Sequence, residues 1–325
     1  MKDRREFLKT GTFFLTAGTL FSTQAGQPLF SGEPVQKTQN VDVDKRDVDK
    51  RKVRIGAPLF VPDDDLDRWA KAAVERGYRA VYAPQVDLKD ASRVRDVTKT
   101  AEKYDLVIAE VGRWVNLMDA DPEKRKQNMA LVTEGLAVAD AIGARCCVDI
   151  AGSFDKESWF GPSAKNLSDE FFELAVENAR TIIDAVKPKR AKFAYEMMGW
   201  AVPDSAESYL KLLKAIDRKG FGVHIDVCNM VNSPKLFFNT TKLINETFDL
   251  LGEHIVSAHA KDLRWNVEMN LHFVECPLGQ GPVDYETYLR RMAMLPGDVP
   301  LMIEHMKDQA EYDLCHEYLK KIVAG

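Results

Sequence analysis

With 325 residues, 45% of them hydrophobic, the chain is long enough for one large domain with a sizeable core. Its 45 lysines and arginines stand against 50 acidic residues, a formal net charge of -5. That balance gives no electrostatic drive toward DNA, RNA or anionic lipid, and favours a small neutral or sugar-like ligand.

The chain opens on Arg4-Arg5-Glu6-Phe7-Leu8-Lys9, a twin-arginine pattern, then an apolar run from Thr10 to Phe21 with small residues near Ala25. A basic start, a short apolar stretch and a small-residue exit describe a removable signal over residues 1–25. The expected partner is the twin-arginine export machinery and the expected destination the periplasm. The run is too short for stable membrane insertion. Residues 26–52 are polar and carry a tandem repeat, Asp42-Val-Asp-Lys-Arg46 followed by Asp47-Val-Asp-Lys-Arg51. Alternating charge with little to bury reads as a disordered linker, which sets the domain boundary near Lys52.

From Val53 on, short apolar runs alternate with amphipathic stretches. Strands are expected at 53–57, 80–83, 106–110, 145–150, 192–196, 222–226, 255–259 and 300–304. Helices are expected between them, including 66–76, 123–142, 169–186, 206–218 and 242–251, starting near Asp or Ser and ending at Gly or Pro. Eight such units predict an α/β fold, a parallel sheet closed into a single (β/α)8 barrel. A doubly wound open sheet is the alternative, but Pro58-Leu59-Phe60-Val61-Pro62 stands where its glycine-rich phosphate loop belongs. The five cysteines, Cys146, Cys147, Cys228, Cys276 and Cys315, show no CxxC or zinc-finger spacing. Cys146 and Cys147 read as packing residues on opposite faces of one strand.

In such a barrel the chemistry sits at the C-terminal strand ends. Four successive ends deliver Glu196, Asp226, His259 and Glu304 to one rim. Taken singly, either glutamate could pair with a loop cation, Asp226 could cap the next segment, and His259 could be a hydrogen-bonded core histidine. Taken together, converging carboxylates repel, and a divalent cation resolves the repulsion. Three oxygen donors and one imidazole suit Mn2+, Mg2+ or Co2+, with Zn2+ also accommodated.

Several segments carry a family resemblance: Glu110-Val-Gly-Arg-Trp114, Gly143-Ala-Arg-Cys-Cys-Val148, Glu196, Asp226-Val-Cys-Asn229, His259-Ala-Lys-Asp262, Gly279-Gln-Gly281 with Asp284-Tyr285, and Ile303-Glu304-His305. From Val53 to the C-terminus the chain resembles the sugar phosphate isomerase/epimerase group with the xylose isomerase-like TIM barrel. The resemblance implies that Glu196, Asp226, His259 and Glu304 bind one divalent ion. It also implies that Glu196 and Glu304 form an acid/base pair working through an enediolate on a small carbohydrate. Related epimerases often carry a histidine three residues after the aspartate. Here Asn229 stands there, able to donate a hydrogen bond but not to shuttle a proton.

Further substrate-binding candidates are Glu110, with Arg113 as its alternative partner; Lys261 and Asp262, which could instead orient His259 or form an ion pair; His272, in a lid expected over 263–282; and Trp114, whose ring could stack on a sugar. The leading function is a metal-dependent sugar isomerase or epimerase. The alternative is an exported lyase or hydrolase of 3-keto glycosides using the same site. Phosphodiester cleavage would want more histidines and a basic face, and a non-enzymatic sugar-binding barrel would not need the full Glu-Asp-His-Glu set. Assembly into a homo-oligomer is left open.

Overall fold

A computed structural model describes residues 48–324. The expected signal at 1–25 and the expected linker up to residue 47 lie outside the described residues. The end of that linker belongs to the fold: Lys50–Lys52 form one 3-10 turn capped by Asp49, and Lys50 Nζ meets Glu286 at 2.7 Å.

The strands are β1 (Arg54–Gly56), β2 (Ala80–Val81), β3 (Val107–Ile108), β4 (Glu110–Gly112), β5 (Cys146–Asp149), β6 (Lys192–Tyr195), β7 (Val223–Asp226), β8 (Ile255–Ala260), β9 (Asp262–Trp265), β10 (Phe273–Cys276) and β11 (Pro300–Ile303). The helices are α1 (Leu66–Glu75), α2 (Ala91–Lys103), α3 (Pro122–Ile142), α4 (Asp169–Val186), α5 (Ala206–Ile216), α6 (Val227–Met230), α7 (Pro234–Phe237), α8 (Thr240–Leu251), α9 (Tyr285–Ala293) and α10 (Gln309–Ala324). Asp65, Asp90, Asp121, Ser168, Ser205 and Asp284 cap the starts of α1, α2, α3, α4, α5 and α9 by accepting first-turn N–H groups. Gly143, at φ 78°, closes α3 in the left-handed conformation that glycine adopts without strain. No described helix is long and apolar enough to cross a membrane.

The strands form two parallel sheets, ordered β3-β2-β1-β11-β8-β7 and β4-β5-β6. β3 and β4 are halves of one barrel strand interrupted at Ala109, whose carbonyl accepts Cys146 N at 3.3 Å while Ala83 N donates to Glu110 O at 3.0 Å. At the other seam β6 meets β7 through the parallel bridges Phe193↔Phe221 and Glu196↔His224. All eight expected strand positions are present, in an α/β TIM barrel rather than a doubly wound sheet.

The main core lies between the strands and the surrounding helices. Inside the barrel, small inward residues such as Ala80, Ala109 and Ala194 leave room for a layer of polar side chains. Cys146 packs inward with Val148 and Ala194, whereas Cys147 Sγ faces outward to Val132 of α3 at 3.8 Å. All five cysteines are buried and unpaired. The segment expected as a lid is largely an antiparallel hairpin, β9–β10. Its Trp265 and Phe273 pack against Phe237 of α7, with ring centroids 5.9 and 4.9 Å away, which anchors what composition alone suggested was a loop.

Candidate metal centre

Alternation along a strand puts residues i and i+2 on one face. On β8 and just past it, Ser257, His259 and Lys261 therefore share the barrel interior, as do His224 and Asp226 on β7. The register pairs His224 with Ser257 and Asp226 with His259. Two stacked polar layers follow, with Asp226 and His259 in the upper one. Glu196 and Glu304 join the upper layer as the residues that immediately follow β6 and β11.

In the upper layer His259 Nδ1 lies 3.0 Å from Glu196 Oε1, 3.0 Å from Glu304 Oε2 and 4.0 Å from Asp226 Oδ2. One donor atom from each of these four residues falls within 4.8 Å of the others, and all four residues are buried. The local alternatives read from sequence coexist with this convergence. Asp226 Oδ1 caps α6 by accepting Asn229 N at 2.9 Å, leaving Oδ2 free to face the cluster. Glu304 pairs with Lys261, whose Nζ lies 2.6 Å from Oε1.

Below, Glu110 is the hub. Its Oε1 sits 3.1 Å from His259 Nε2, and its Oε2 sits 3.0 Å from both His224 Nε2 and Ser257 Oγ. Glu110 lies inside the barrel, 1% exposed, and not beside Arg113, which donates to the carbonyls of Gly112 and Leu131. The cause is the break at Ala109, after which β4 continues, so Glu110 begins a second half-strand instead of ending the first. His224 and Ser257 were missed from sequence. The signal was present in His224-x-Asp226 and Ser257-x-His259, since any residue two before a rim ligand faces the same interior.

Burial opposes ionisation of every acid here, and the neighbouring charges decide the outcome. For Glu304, burial is outweighed by His259 and Lys261, which hold its carboxyl well below the usual range. For Glu196, burial and Glu304 oppose ionisation, yet His259 and Lys261 still bring it down. Burial prevails at Asp226, pushed up to about 6 despite Lys261. His259 is the counterpart: burial disfavours its charge, but Glu304, Glu110 and Glu196 raise it well above its ordinary value.

The remaining candidates divide. Asn229 reaches the cluster, its Nδ2 donating to Glu196 Oε1 at 3.2 Å and to Met197 O at 2.9 Å. Lys261, 3% exposed, is part of the cluster itself. Trp114 stands at its edge, 37% exposed at a positive φ of 32°, with its ring centroid 6.2 Å from that of His259. Asp262 has no oxygen to spare for substrate: it accepts from the backbone N–H groups of Leu263, Gly279, Gly281 and Val283 at 3.0 to 3.3 Å. A Cβ on Gly281 would lie 2.1 Å from Asp262 Oδ1, so the Gly-x-Gly loop exists to wrap this carboxylate. Tyr285 then bonds Lys261 O at 2.8 Å, and Tyr288 bonds His259 O at 3.1 Å. The motif is thus a brace for the strand that carries His259. His272 is not brought to the cluster; it is half-exposed beside Glu268, at 3.4 Å, where β9 and β10 turn.

Two features fit a divalent cation. Nδ1 of His259 faces two carboxylate oxygens and carries at most one hydrogen for both. Asp226 Oδ2 is buried, lies 3.0 Å from Lys261 Nζ, and still receives no well-directed hydrogen bond. The oxygen-rich donor set suits Mn2+, Mg2+ or Co2+.

A family description, xylose isomerase-like TIM barrel, matches residues 70–322. The chain belongs to that family. Among solved xylose isomerase-like barrels and their structural kin, one from Mycobacterium smegmatis in complex with magnesium is 17% identical, with a TM-score of 0.60 over 85% of this chain and 97% of that one. The 3-keto-D-glucoside 4-epimerase of E. coli is 13% identical, with a TM-score of 0.59 over 83% and 99%. Endonuclease IV from Thermus thermophilus is 16% identical, with a TM-score of 0.62 over 83% and 99%. No curated protein matches the sequence. At these identities the xylose isomerase-like barrel is shared while its chemistry varies, so function is argued from the site.

Proposed function

We propose that the protein is a divalent-metal-dependent carbohydrate isomerase or epimerase. The observation that carries this is the placement of Glu196 and Glu304, from separate strands, each 3.0 Å from the same His259 nitrogen with Asp226 beside them. Glu196, Asp226, His259 and Glu304 would hold the ion. When bound, it would supply Lewis-acid charge to a substrate carbonyl and the neighbouring hydroxyl, acidifying the C–H between them.

The two glutamates divide the proton work. Without an ion both are held ionised by His259 and Lys261; an ion on neutral His259 would take over that role, so either glutamate can accept the proton from carbon. Returning it to the same face restores the substrate, to the opposite face inverts the centre, and to the neighbouring carbon isomerises the sugar. Lys261 keeps Glu304 in one orientation, and Asn229 does the same for Glu196 at 3.2 Å. Trp114 supplies a partly exposed ring beside the cluster on which an apolar sugar face can stack.

A second reading is favoured by Asn229. Without a proton-shuttling histidine there, abstraction beside the carbonyl of a 3-keto glycoside would end in loss of the aglycone rather than in epimerisation. The twin-arginine start supports a substrate met outside the cytoplasm, where free or oxidised glycosides are more accessible than sugar phosphates. Incubating the protein with Mn2+ in D2O, with free ketoses and with 3-keto glycosides in parallel, distinguishes the outcomes. Deuterium at carbon beside the carbonyl with retention of the aglycone supports the isomerase or epimerase. Aglycone release supports the lyase. The absence of exchange, of isomerised or epimerised product and of aglycone release with either class removes both.

A further inference from the structure

The lower polar layer has no part in the chemistry above, yet its hub is closely hydrogen-bonded. Glu110 accepts from two imidazoles and one hydroxyl, at 3.0 to 3.1 Å, from three directions. Its side chain and those of His224 and His259 are 0% exposed. A buried carboxylate placed there is costly unless its position does something that an apolar residue could not do.

We propose that Glu110 is the positioning residue of the metal centre. It fixes the ring of His259 so that Nε2–H points down the barrel and Nδ1 faces Glu196, Asp226 and Glu304. The geometry leaves few other solutions. Rotating the His259 ring by half a turn would take its N–H away from Glu110 and set a C–H edge against the carboxylates. His224, perpendicular to His259 with ring centroids 4.2 Å apart, and Ser257 hold the second oxygen, so Glu110 cannot swing to follow a rotated ring. Metal-binding histidines commonly have their second nitrogen held by a carboxylate or carbonyl partner. Here that partner comes from the third barrel strand, four strands away in sequence order from the one carrying His259.

Glu110→Gln is the discriminating change. It keeps the shape but removes the charge: its NH2 group either faces the N–H of His259 or, turned toward His224 and Ser257, which can both accept from it, leaves a neutral amide oxygen as the partner of His259. Either way the ring of His259 loses its carboxylate partner. The expected effect is a Mn2+ affinity weaker by about 10- to 100-fold.

The proposal rests on the metal-centre reading of the upper cluster, and the experiment separates the two. Chelator-treated wild type and Glu110→Gln are titrated with Mn2+ alone, counting free ion by its EPR signal, with folding checked by near-UV circular dichroism. Wild-type binding with the expected weakening in folded E110Q supports the proposal. Wild-type affinity in E110Q, within about twofold of the original and so outside the range expected for a lost partner of this kind, overturns it. A wild type that binds no Mn2+ overturns the metal centre itself, and the positioning role falls with it. If E110Q does not fold, the wild type loaded with Zn2+ and labelled with [15N]histidine gives the answer. Metal on Nδ1 of His259 with a proton on Nε2 supports the proposal, and metal on Nε2 overturns it.

Discussion

Lys261 and Glu304 form a buried ion pair at 2.6 Å inside the cluster of carboxylates. The lysine also stands 3.0 Å from Asp226 Oδ2, so it neutralises the same oxygens that would hold a cation. Lys261→Met should therefore act in opposite directions on two measurements. The metal-free fold should lose about 3 kcal/mol, the scale for breaking a buried pair. Mn2+ should bind more tightly, because a positive charge has left its immediate neighbourhood. Thermal unfolding and a competition titration check these. Weaker Mn2+ binding would mean that losing its hold on Glu304 outweighs losing its charge.

Glu304→Gln removes a base while keeping the volume. Turnover should fall by about 100-fold or more, the usual range for a lost general acid or base, with the fold retained. Steady-state kinetics on whichever sugar shows exchange is the measurement. Unchanged turnover would take Glu304 out of the chemistry.

Asp226→Asn keeps an acceptor for the N–H of Asn229 and removes the charge that faces the cluster. Mn2+ affinity should fall by more than about 100-fold, beyond the range for a residue that only supports a ligand. Elemental analysis after dialysis reads this directly, and wild-type metal content in the variant would exclude Asp226 as a ligand.

His316 gives a pH dependence independent of the site. It is buried on α10 against Tyr78, with ring centroids 4.9 Å apart, and burial, assisted by Lys320, pushes its pKa down to about 4. The unfolded chain keeps the ordinary histidine value, so between about pH 6.5 and 4 it binds more protons than the fold does. Stability should thus be complete above that window and decline as pH falls through it, by on the order of 2–3 kcal/mol from this residue. Urea unfolding at pH 4.5 and 7 should show a smaller acid loss for His316→Phe than for wild type. Equal losses would contradict the assignment.

Replacing Arg4 and Arg5 together with lysine should leave precursor in the cytoplasm if residues 1–25 are a twin-arginine signal. Fractionation with an antibody to the barrel reads the outcome, and normal export of the double variant would contradict it.

The barrel was legible because apolar runs and helix caps recur at a spacing that only alternating strands and helices satisfy. The upper layer of the site was legible because a charge closing an apolar strand stands out. The lower layer was not, because Glu110, His224 and Ser257 gain their meaning only from a register that places three distant strands side by side. Asp262 stays open in sequence between orienting His259 and binding a substrate hydroxyl for a related reason: only the folded chain shows the four backbone amides that surround it and favour the first. The placement of His272 was not legible because the apolar face of the β9–β10 hairpin, anchored on Phe237, reads as loop in sequence.

The most direct test is anomalous diffraction from a crystal of the protein soaked in Mn2+. The expected result is a single strong peak about 2 Å from oxygens of Glu196, Asp226 and Glu304 and from Nδ1 of His259. A peak elsewhere, or none at a concentration that saturates binding in solution, would contradict the metal centre.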